Sequence, residues 1–165
     1  MHGPLHYLLA EDHARLEALL SRATHAPGRF DHEAFEELRA GLLRHIAIEE
    51  KILLPDARRR RGGEPLPLAR RLRIDHGALA SLMVPTPDRV LVAQIEEILR
   101  PHDGLEDEPG GLYDQCENLA GADVPALIER IRAVPTVPVA KHFDGHGVHR
   151  TAATALAASA RQHRM

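Results

Sequence analysis

The spacing of histidine and glutamate along the chain is the feature that most restricts its fold. Glu49 follows His45 by four residues, and Glu106 follows His102 at the same spacing. Residues four apart lie on one face of an α-helix, one turn above each other. Each pair therefore predicts a helix that presents an imidazole and a carboxylate to the same neighbour.

A single histidine precedes each pair, His13 before the first and His76 before the second, and the four histidines are 32, 31 and 26 residues apart. Each interval has room for two half-helices and a turn, so consecutive antiparallel helices would place all four imidazoles at a similar height. The second half of the chain thus repeats the first. This repeat predicts a pseudo-twofold site formed by four imidazoles and two carboxylates.

Apolar residues recur at helical spacing through most of the chain. Four long helices are expected. The first runs from Pro4 to Thr24, and the second from an N-cap at Asp31 to about Arg61. The third runs from about Leu66 to Met83, and the fourth begins with an N-cap at Thr86 and Pro87 as its first helical residue. Pro55 should kink or end the second helix, and Pro109, Gly110 and Gly111 should interrupt the fourth. A short helix over 123–134 and a tail over 139–165 with one Ala-rich helical stretch should follow.

These elements predict an all-α protein, an up-down-up-down antiparallel four-helix bundle with a short extra helix and a C-terminal tail. Residues 1–122 would form the bundle, and 123–165 a C-terminal helical extension that is able to pack on it. Hydrophobic residues make up 44% of the chain but aromatic residues only 3%, so the core must be built from Leu, Ala, Ile and Val. Such a composition favours helices over a β-sandwich.

Charge and cysteine content exclude several classes of protein. The net charge of -3 gives no support for nucleic acid or an anionic membrane as a partner. Cys116 is the single cysteine, which excludes an internal disulfide framework and a Cys-rich metal site, and its apolar neighbourhood fits a small core residue. No apolar run approaches 18 residues, so a cytoplasmic protein is expected.

Four imidazoles and two carboxylates are enough to ligate two transition-metal ions bridged by the carboxylates, and these donors suit iron, manganese or zinc. The alternative is that the histidines are separately hydrogen-bonded in the core and that each histidine–glutamate pair is an exposed helix pair of small energetic value. Neither an H-E-x-x-H zinc motif nor a Cys/His finger occurs in the chain.

The segments HIAIEEKILLP, DHGALASL and HDGLEDEPGGLYD, with the single histidine upstream, resemble the hemerythrin-like family, the HHE cation-binding domains, over about residues 5–120. The resemblance implies a four-helix bundle that holds a non-haem di-iron centre of two iron ions, with manganese or zinc as alternative metals. It implies four terminal nitrogen ligands and two bridging carboxylates, which are His13, His45, His76, His102, Glu49 and Glu106.

The sequence departs from the oxygen-carrying members of that family. Those members have a second histidine one turn from the third-helix histidine, whereas Leu72 and Ala80 stand four residues from His76 here. One nitrogen ligand is therefore missing, so one metal ion would either have a more open coordination or take a substitute ligand. The carriers place an aspartate where Asp107 stands, while the HHE pattern favours Glu106, so Asp107 is the alternate bridging residue.

Other polar residues have two interpretations. Three tail histidines could form a lid, an extra ligand set or a second metal site, or could be solvated: His142, His146 and His149. His6 lies on the face of His13 but could reach only a site higher in the bundle, and Glu50 is either a partner of the site or part of a solvated face. Tyr7 and Tyr113 either border a metal pocket or pack in the core.

The sequence therefore predicts a dinuclear metal-binding protein that binds or responds to dioxygen, nitric oxide or peroxide, with a sensing or stress-protective role. Its partner would be a small diatomic ligand or peroxide, and neither a nucleic acid nor a membrane is expected. The alternatives are a catalase-like enzyme that decomposes peroxide and an interaction module whose fold is stabilised by metal. The oligomeric state is left open by the sequence.

Overall fold

The computed structural model describes residues 1–164. The regular secondary structure in this range is helical, and the range contains no strand. The expectation of an all-α protein is confirmed. The α-helices of this range are α1 (Pro4–Thr24), α2 (His32–Ile48), α3 (Leu54–Arg60), α4 (Ala69–Leu82), α5 (Arg89–Asp107), α6 (Leu112–Ala120), α7 (Val124–Arg132) and α8 (Ala152–Gln162). A π-helical turn, Glu49–Leu53, joins α2 to α3. None of these helices is long and apolar enough to cross a membrane.

The regular α-helical hydrogen bonding of the second predicted helix is interrupted immediately before Pro55. The N–H of Leu54 donates to the carbonyl of Glu49, five residues earlier, so the chain passes through one π-helical turn. Pro55 then lies in the first turn of α3, where a missing N–H costs no helical hydrogen bond. π-Helical turns of this kind are frequent at functional sites, and this one begins at Glu49.

The predicted start of the fourth helix was wrong by two residues. Asp88, rather than Thr86, is the N-cap of α5, and its side chain accepts a hydrogen bond from the N–H of Leu91 at 2.8 Å. Thr86 instead binds Asp144 of the tail through both its N–H and its hydroxyl. The helix ends at Asp107 before the Pro-Gly-Gly sequence, as expected, and α6 begins at Leu112.

Two apolar clusters form the core, and a polar layer lies between them. On α1, Leu9 belongs to one cluster and Leu16 to the other, with His13 between them. The same order holds on α2, where His45 separates Leu42 from Ile48. His76 and His102 occupy the corresponding levels of α4 and α5. The helices thus bring the four histidines to one buried level.

The C-terminal residues pack against the preceding helices. Ala152 and Ala155 of α8 are buried in the cluster that contains α4 and α5. The hydroxyl of Ser159 donates to the carbonyl of Ile74 at 2.7 Å. Gly77 permits this contact, because a Cβ there would lie 2.4 Å from the Ser159 hydroxyl oxygen.

Candidate metal centre

Six buried side chains from α1, α2, α4 and α5 and the π-helical turn converge between the apolar clusters. They are the six predicted from the sequence: His13, His45, Glu49, His76, His102 and Glu106. Their donor atoms form two groups, and within each group the atoms lie within 4.8 Å of one another. Glu49 and Glu106, both 0% exposed, belong to both groups.

The first group contains the two histidines of the N-terminal half. His45 Nε2 lies 2.9 Å from Glu49 Oε1, and His13 Nε2 lies 3.0 Å from Glu106 Oε2. The two imidazole nitrogens are 3.1 Å apart. Both imidazoles therefore direct Nε2 into the same small volume.

The second group contains the two histidines of the C-terminal half. His76 Nε2 lies 2.9 Å from Glu49 Oε2, and His102 Nε2 lies 2.7 Å from Glu106 Oε1. Each glutamate thus gives one carboxylate oxygen to each group. That arrangement is the one expected of carboxylates that bridge two cations.

A carboxylate accepts a hydrogen bond from Nδ1 of every one of the four imidazoles. The pairs are His13 with Asp107 (3.0 Å), His45 with Asp12 (2.7 Å), His76 with Glu50 (2.7 Å) and His102 with Asp75 (3.1 Å). A carboxylate that accepts from Nδ1–H fixes the tautomer and the ring orientation. Each Nε2 then keeps its lone pair for the centre.

These four acids repeat the pseudo-twofold pattern of the sequence. Asp12 and Asp75 each precede a single histidine and bind the paired histidine of the same half. Glu50 and Asp107 each follow a shared glutamate and bind the single histidine of the other half. Asp12 and Asp75 were not predicted from the sequence, although each directly precedes a candidate histidine ligand. Asp107, the alternate bridging residue, contacts the back of an imidazole instead.

The electrostatics of the cluster favour a cation. Burial on its own lowers the pKa of His45, but the carboxylates of Glu49 and Asp12 outweigh it and raise the pKa to about 10. Burial also lowers the pKa of His102, but the carboxylates of Glu106 and Asp75 outweigh this effect and raise the pKa to about 9. Protons on these imidazoles would balance the surrounding carboxylates. A bound metal ion supplies that positive charge directly.

The two shared carboxyl groups stay ionised despite their position. Burial and mutual repulsion would raise their pKa values, yet the neighbouring imidazoles hold the pKa of both Glu49 and Glu106 below the ordinary value. Two carboxylates without water and without a cation between them are costly in free energy. The pair is therefore suited to a site that carries positive charge.

Three buried donor atoms of the second group have no hydrogen-bond partner, namely Glu49 Oε2, His76 Nε2 and Glu106 Oε1. His76 Nε2 is only 2.9 Å from Glu49 Oε2, but the two atoms do not meet the angular requirement of a hydrogen bond. They face a common volume rather than each other. Because each unsatisfied buried polar group costs about 1–3 kcal/mol, this set of donor atoms suits a bound cation.

Tyr113 of α6 completes the buried cluster. Its hydroxyl oxygen lies 2.7 Å from Glu49 Oε1, 3.0 Å from Glu106 Oε2, 2.8 Å from His13 Nε2 and 3.0 Å from His45 Nε2. Burial, followed by the two carboxylates, raises the pKa of this phenol well above its ordinary value. From the sequence, Tyr113 was expected either to pack in the core or to border a metal pocket, and the structure places it within the cluster.

A family model described as the hemerythrin HHE cation-binding domain matches residues 5–109. The chain belongs to this family. The resemblance stated from the sequence is therefore confirmed, and the six donors of this HHE domain all lie within the matched range. No curated protein and no solved structure gives a significant match to the chain.

A groove of about 500 Å³ between α1 and α5 reaches the HHE domain's first group of donors. His13 and Asp103 line it, and Asp103 Oδ1 lies 3.6 Å from His13 Nε2. Burial and the nearby Glu106 raise the pKa of Asp103 to about 6, although the neighbouring imidazoles oppose the rise. The groove therefore ends beside an imidazole of the first group of donors.

His6 belongs to a third polar cluster, with His2 and Asp114, that stands apart from the centre. The rings of His2 and His6 stack in parallel, with centroids 3.6 Å apart and planes inclined by 8°. A metal ion must lie close to the plane of each imidazole that binds it, and one position cannot satisfy two stacked rings. Asp114 Oδ1 instead lies 2.8 Å from His2 Nδ1, which ties the N-terminus to α6.

The tail histidines do not join any metal-holding cluster within residues 1–164. His142 contacts Glu36 of α2 and the carbonyl of Val84. His146 is exposed and His149 is half-buried. Of the two interpretations left open by the sequence, an extra ligand set finds no support in this arrangement.

Proposed function

We propose that the chain is a non-haem dinuclear iron protein in which Glu49 and Glu106 bridge two ions. One ion would be held by His13 and His45 and the other by His76 and His102. The observation that carries the proposal is that each glutamate offers one oxygen to each group of donors. The chain between these donors would run as an up-down-up-down antiparallel four-helix bundle.

The donor set favours a first-row transition metal. Neutral imidazole and carboxylate suit iron, manganese and zinc, and iron is the metal that membership of the family favours. The four carboxylates behind the imidazoles increase the basicity of Nε2 and hold each ring in place, which typically strengthens metal binding. The imidazoles are therefore preorganised for metal binding.

Two reduced iron ions supply the capacity to bind dioxygen, nitric oxide or peroxide. The protein around them decides which molecules arrive. The apolar clusters above and below the polar layer exclude bulk water, and the groove beside His13 and Asp103 admits small molecules. We therefore infer that the partner is a small diatomic molecule or peroxide and that the role is sensing or protection against oxidative or nitrosative stress.

A spectroscopic experiment tests this function. Protein loaded anaerobically with ferrous iron should change its absorption spectrum on exposure to dioxygen or nitric oxide, and removal of nitric oxide should restore the original spectrum. The His45→Ala protein, treated in the same way, should give no such change because it lacks one imidazole donor. An unchanged spectrum of the wild-type protein with both gases would contradict the proposal.

Addition of hydrogen peroxide separates this function from its main alternative. A sensing or binding protein reacts once per centre and then stops. Sustained evolution of dioxygen over many turnovers would instead establish a catalase-like enzyme.

A further inference from the structure

We propose that Tyr113 is a ligand, through its phenolate oxygen, of the metal ion held by His13 and His45. This inference rests on the proposed dinuclear centre, and it adds a fifth donor to the first group. The phenolic proton passes to solvent when the oxygen binds the ion. The family match ends at residue 109, so this donor comes from a part of the chain beyond the matched domain.

The contacts of the hydroxyl exceed what a hydroxyl can satisfy. The oxygen lies 2.7 to 3.0 Å from four donor atoms, one each from His13, His45, Glu49 and Glu106. A hydroxyl donates one hydrogen bond and accepts two. Two of its four neighbours are carboxylate oxygens, which only accept while they are ionised. Hydrogen bonding alone therefore leaves at least one close contact between two electron-rich oxygens.

A metal ion at the middle of these atoms makes every contact favourable. Metal–nitrogen and metal–oxygen bonds of about 2.1 Å place neighbouring donors at right angles about 3 Å apart. The imidazole nitrogens lie 2.9 to 3.1 Å from each other and from their glutamate oxygens, and the hydroxyl completes the set at 2.7 to 3.0 Å. The spacing of all five atoms is that of ligands around one cation.

The chain holds Tyr113 in this position through several contacts of α6. Gly111 lets the chain turn back on itself, because a Cβ there would lie 2.7 Å from the carbonyl oxygens of both Leu105 and Glu106. One turn along α6, Glu117 accepts hydrogen bonds from the first N–H groups of α1, including that of His6 at 3.0 Å. The phenol is 0% exposed and is fixed from both ends of its helix.

Ligation by Tyr113 makes the two metal positions unequal. The ion at His13 and His45 gains a fifth donor with a negative charge, which stabilises a ferric over a ferrous ion. The ion at His76 and His102 keeps only the four donors of its own group. An ion at that position would therefore have fewer protein donors than the ion at His13 and His45.

The test uses the fact that the chain has only two tyrosines. A phenolate bound to ferric iron gives a visible charge-transfer band and resonance-enhanced Raman vibrations of the phenolate ring. Tyr7 is 57% exposed, so the Tyr7→Phe protein is the matched control and contains Tyr113 as its sole tyrosine. The iron-loaded, oxidised Tyr7→Phe protein should keep the band, and its Raman lines should shift when ring-deuterated tyrosine is incorporated.

The Tyr113→Phe protein should lose the band and the Raman lines while it retains two iron ions. Absence of the band from a wild-type protein that contains two ferric ions would overturn Tyr113 ligation and leave the dinuclear centre intact. Persistence of the band in Tyr113→Phe would overturn it as well. A wild-type protein that takes up no iron would instead count against the proposed function, so the two failures are distinguishable. If Tyr113→Phe does not fold, the isotope shift in the Tyr7→Phe protein decides the question.

Discussion

Asp75 Oδ2 accepts a hydrogen bond from Nδ1 of His102 on the neighbouring helix, across 3.1 Å. Asp12 and His45 form the equivalent contact in the first half of the chain. The aspartate that precedes a single histidine thus orients the paired histidine of its own half. This relationship extends the internal repeat from the candidate ligands to the groups behind them.

Replacement of Asp75 by Asn should weaken metal binding without removing a donor. The amide keeps the size of the carboxylate but loses the negative charge that holds Nδ1–H of His102. Loss of such a partner typically lowers metal affinity by about 10- to 100-fold. Competition with a chelator of known affinity measures the change. Asp123→Asn, in which the altered side chain is 65% exposed, is the control and should bind metal like the wild type.

Replacement of Glu49 by Gln should reduce the binding of both ions, because its two oxygens serve different groups. The uncharged amide also leaves the four imidazoles with less compensating charge. Metal-dependent thermal stabilisation should therefore disappear in Glu49→Gln. The exposed Glu37→Gln substitution is the control. A Glu49→Gln protein that binds two ions and melts like the wild type would refute the bridging role.

Four-residue spacing placed His45 with Glu49, and His102 with Glu106, on one helix face. The intervals between histidines then indicated that His13 and His76 would lie at the same level. The acids behind them were harder to find. Asp12 is adjacent to His13, so periodicity places it on another face of α1, and only the packing of α2 shows that it meets His45. Glu50 was difficult to assign for the same reason, because it is adjacent to Glu49 in the sequence.

Tyr113 and the start of α5 depended on contacts between distant parts of the chain. The hydroxyl of Tyr113 reaches the donors only because the chain folds back at Gly111. Thr86 has the residue type of an N-cap, but Asp144 of the tail binds it and Asp88 caps α5 instead. The capping propensity of a residue type does not account for such competition between side chains.

Replacement of Gly77 by Ala tests the packing of α8 against α4. Alanine is favoured over glycine within a helix by about 1 kcal/mol, but its Cβ would lie 2.4 Å from the Ser159 hydroxyl oxygen. Overpacking of this kind costs about 1–3 kcal/mol, so the free energy of unfolding should fall. Urea denaturation measures it. In a Ser159→Ala background the same substitution should cost less, and equal costs in both backgrounds would exclude the contact.

Asp56 should contribute to stability at neutral pH and lose that contribution in acid. Its side chain is 3% exposed and binds Arg60 at 2.7 Å. Burial opposes ionisation, but Arg60 and Arg59 outweigh it and hold the folded-state pKa below the ordinary value. The stabilisation is therefore fully present above the unfolded pKa of about 3.9 and is lost as the pH falls through the folded pKa.

Comparison with Asp56→Asn reveals this dependence. The difference in free energy of unfolding between the wild type and the variant should be constant from pH 7 to about pH 5 and shrink below about pH 4. Denaturant unfolding across that range provides the measurement. A difference that grows as the pH falls would have the wrong sign for this account.

The Cys116 thiol should be unreactive in the folded protein. It is 3% exposed, and burial together with the charges of Glu49 and Asp56 raises its pKa to about 12. Since the thiolate is the reactive form, a thiol reagent should modify Cys116 only after unfolding. Rapid modification under native conditions would show that the region around α6 opens readily.

The number of metal ions per chain tests the central claim most directly. Protein loaded anaerobically with ferrous iron and freed of excess metal should contain two ions per chain by elemental analysis. Anomalous scattering from crystals should place both between Glu49 and Glu106. A content of less than one ion per chain, or scattering from any other place in the fold, would contradict the account.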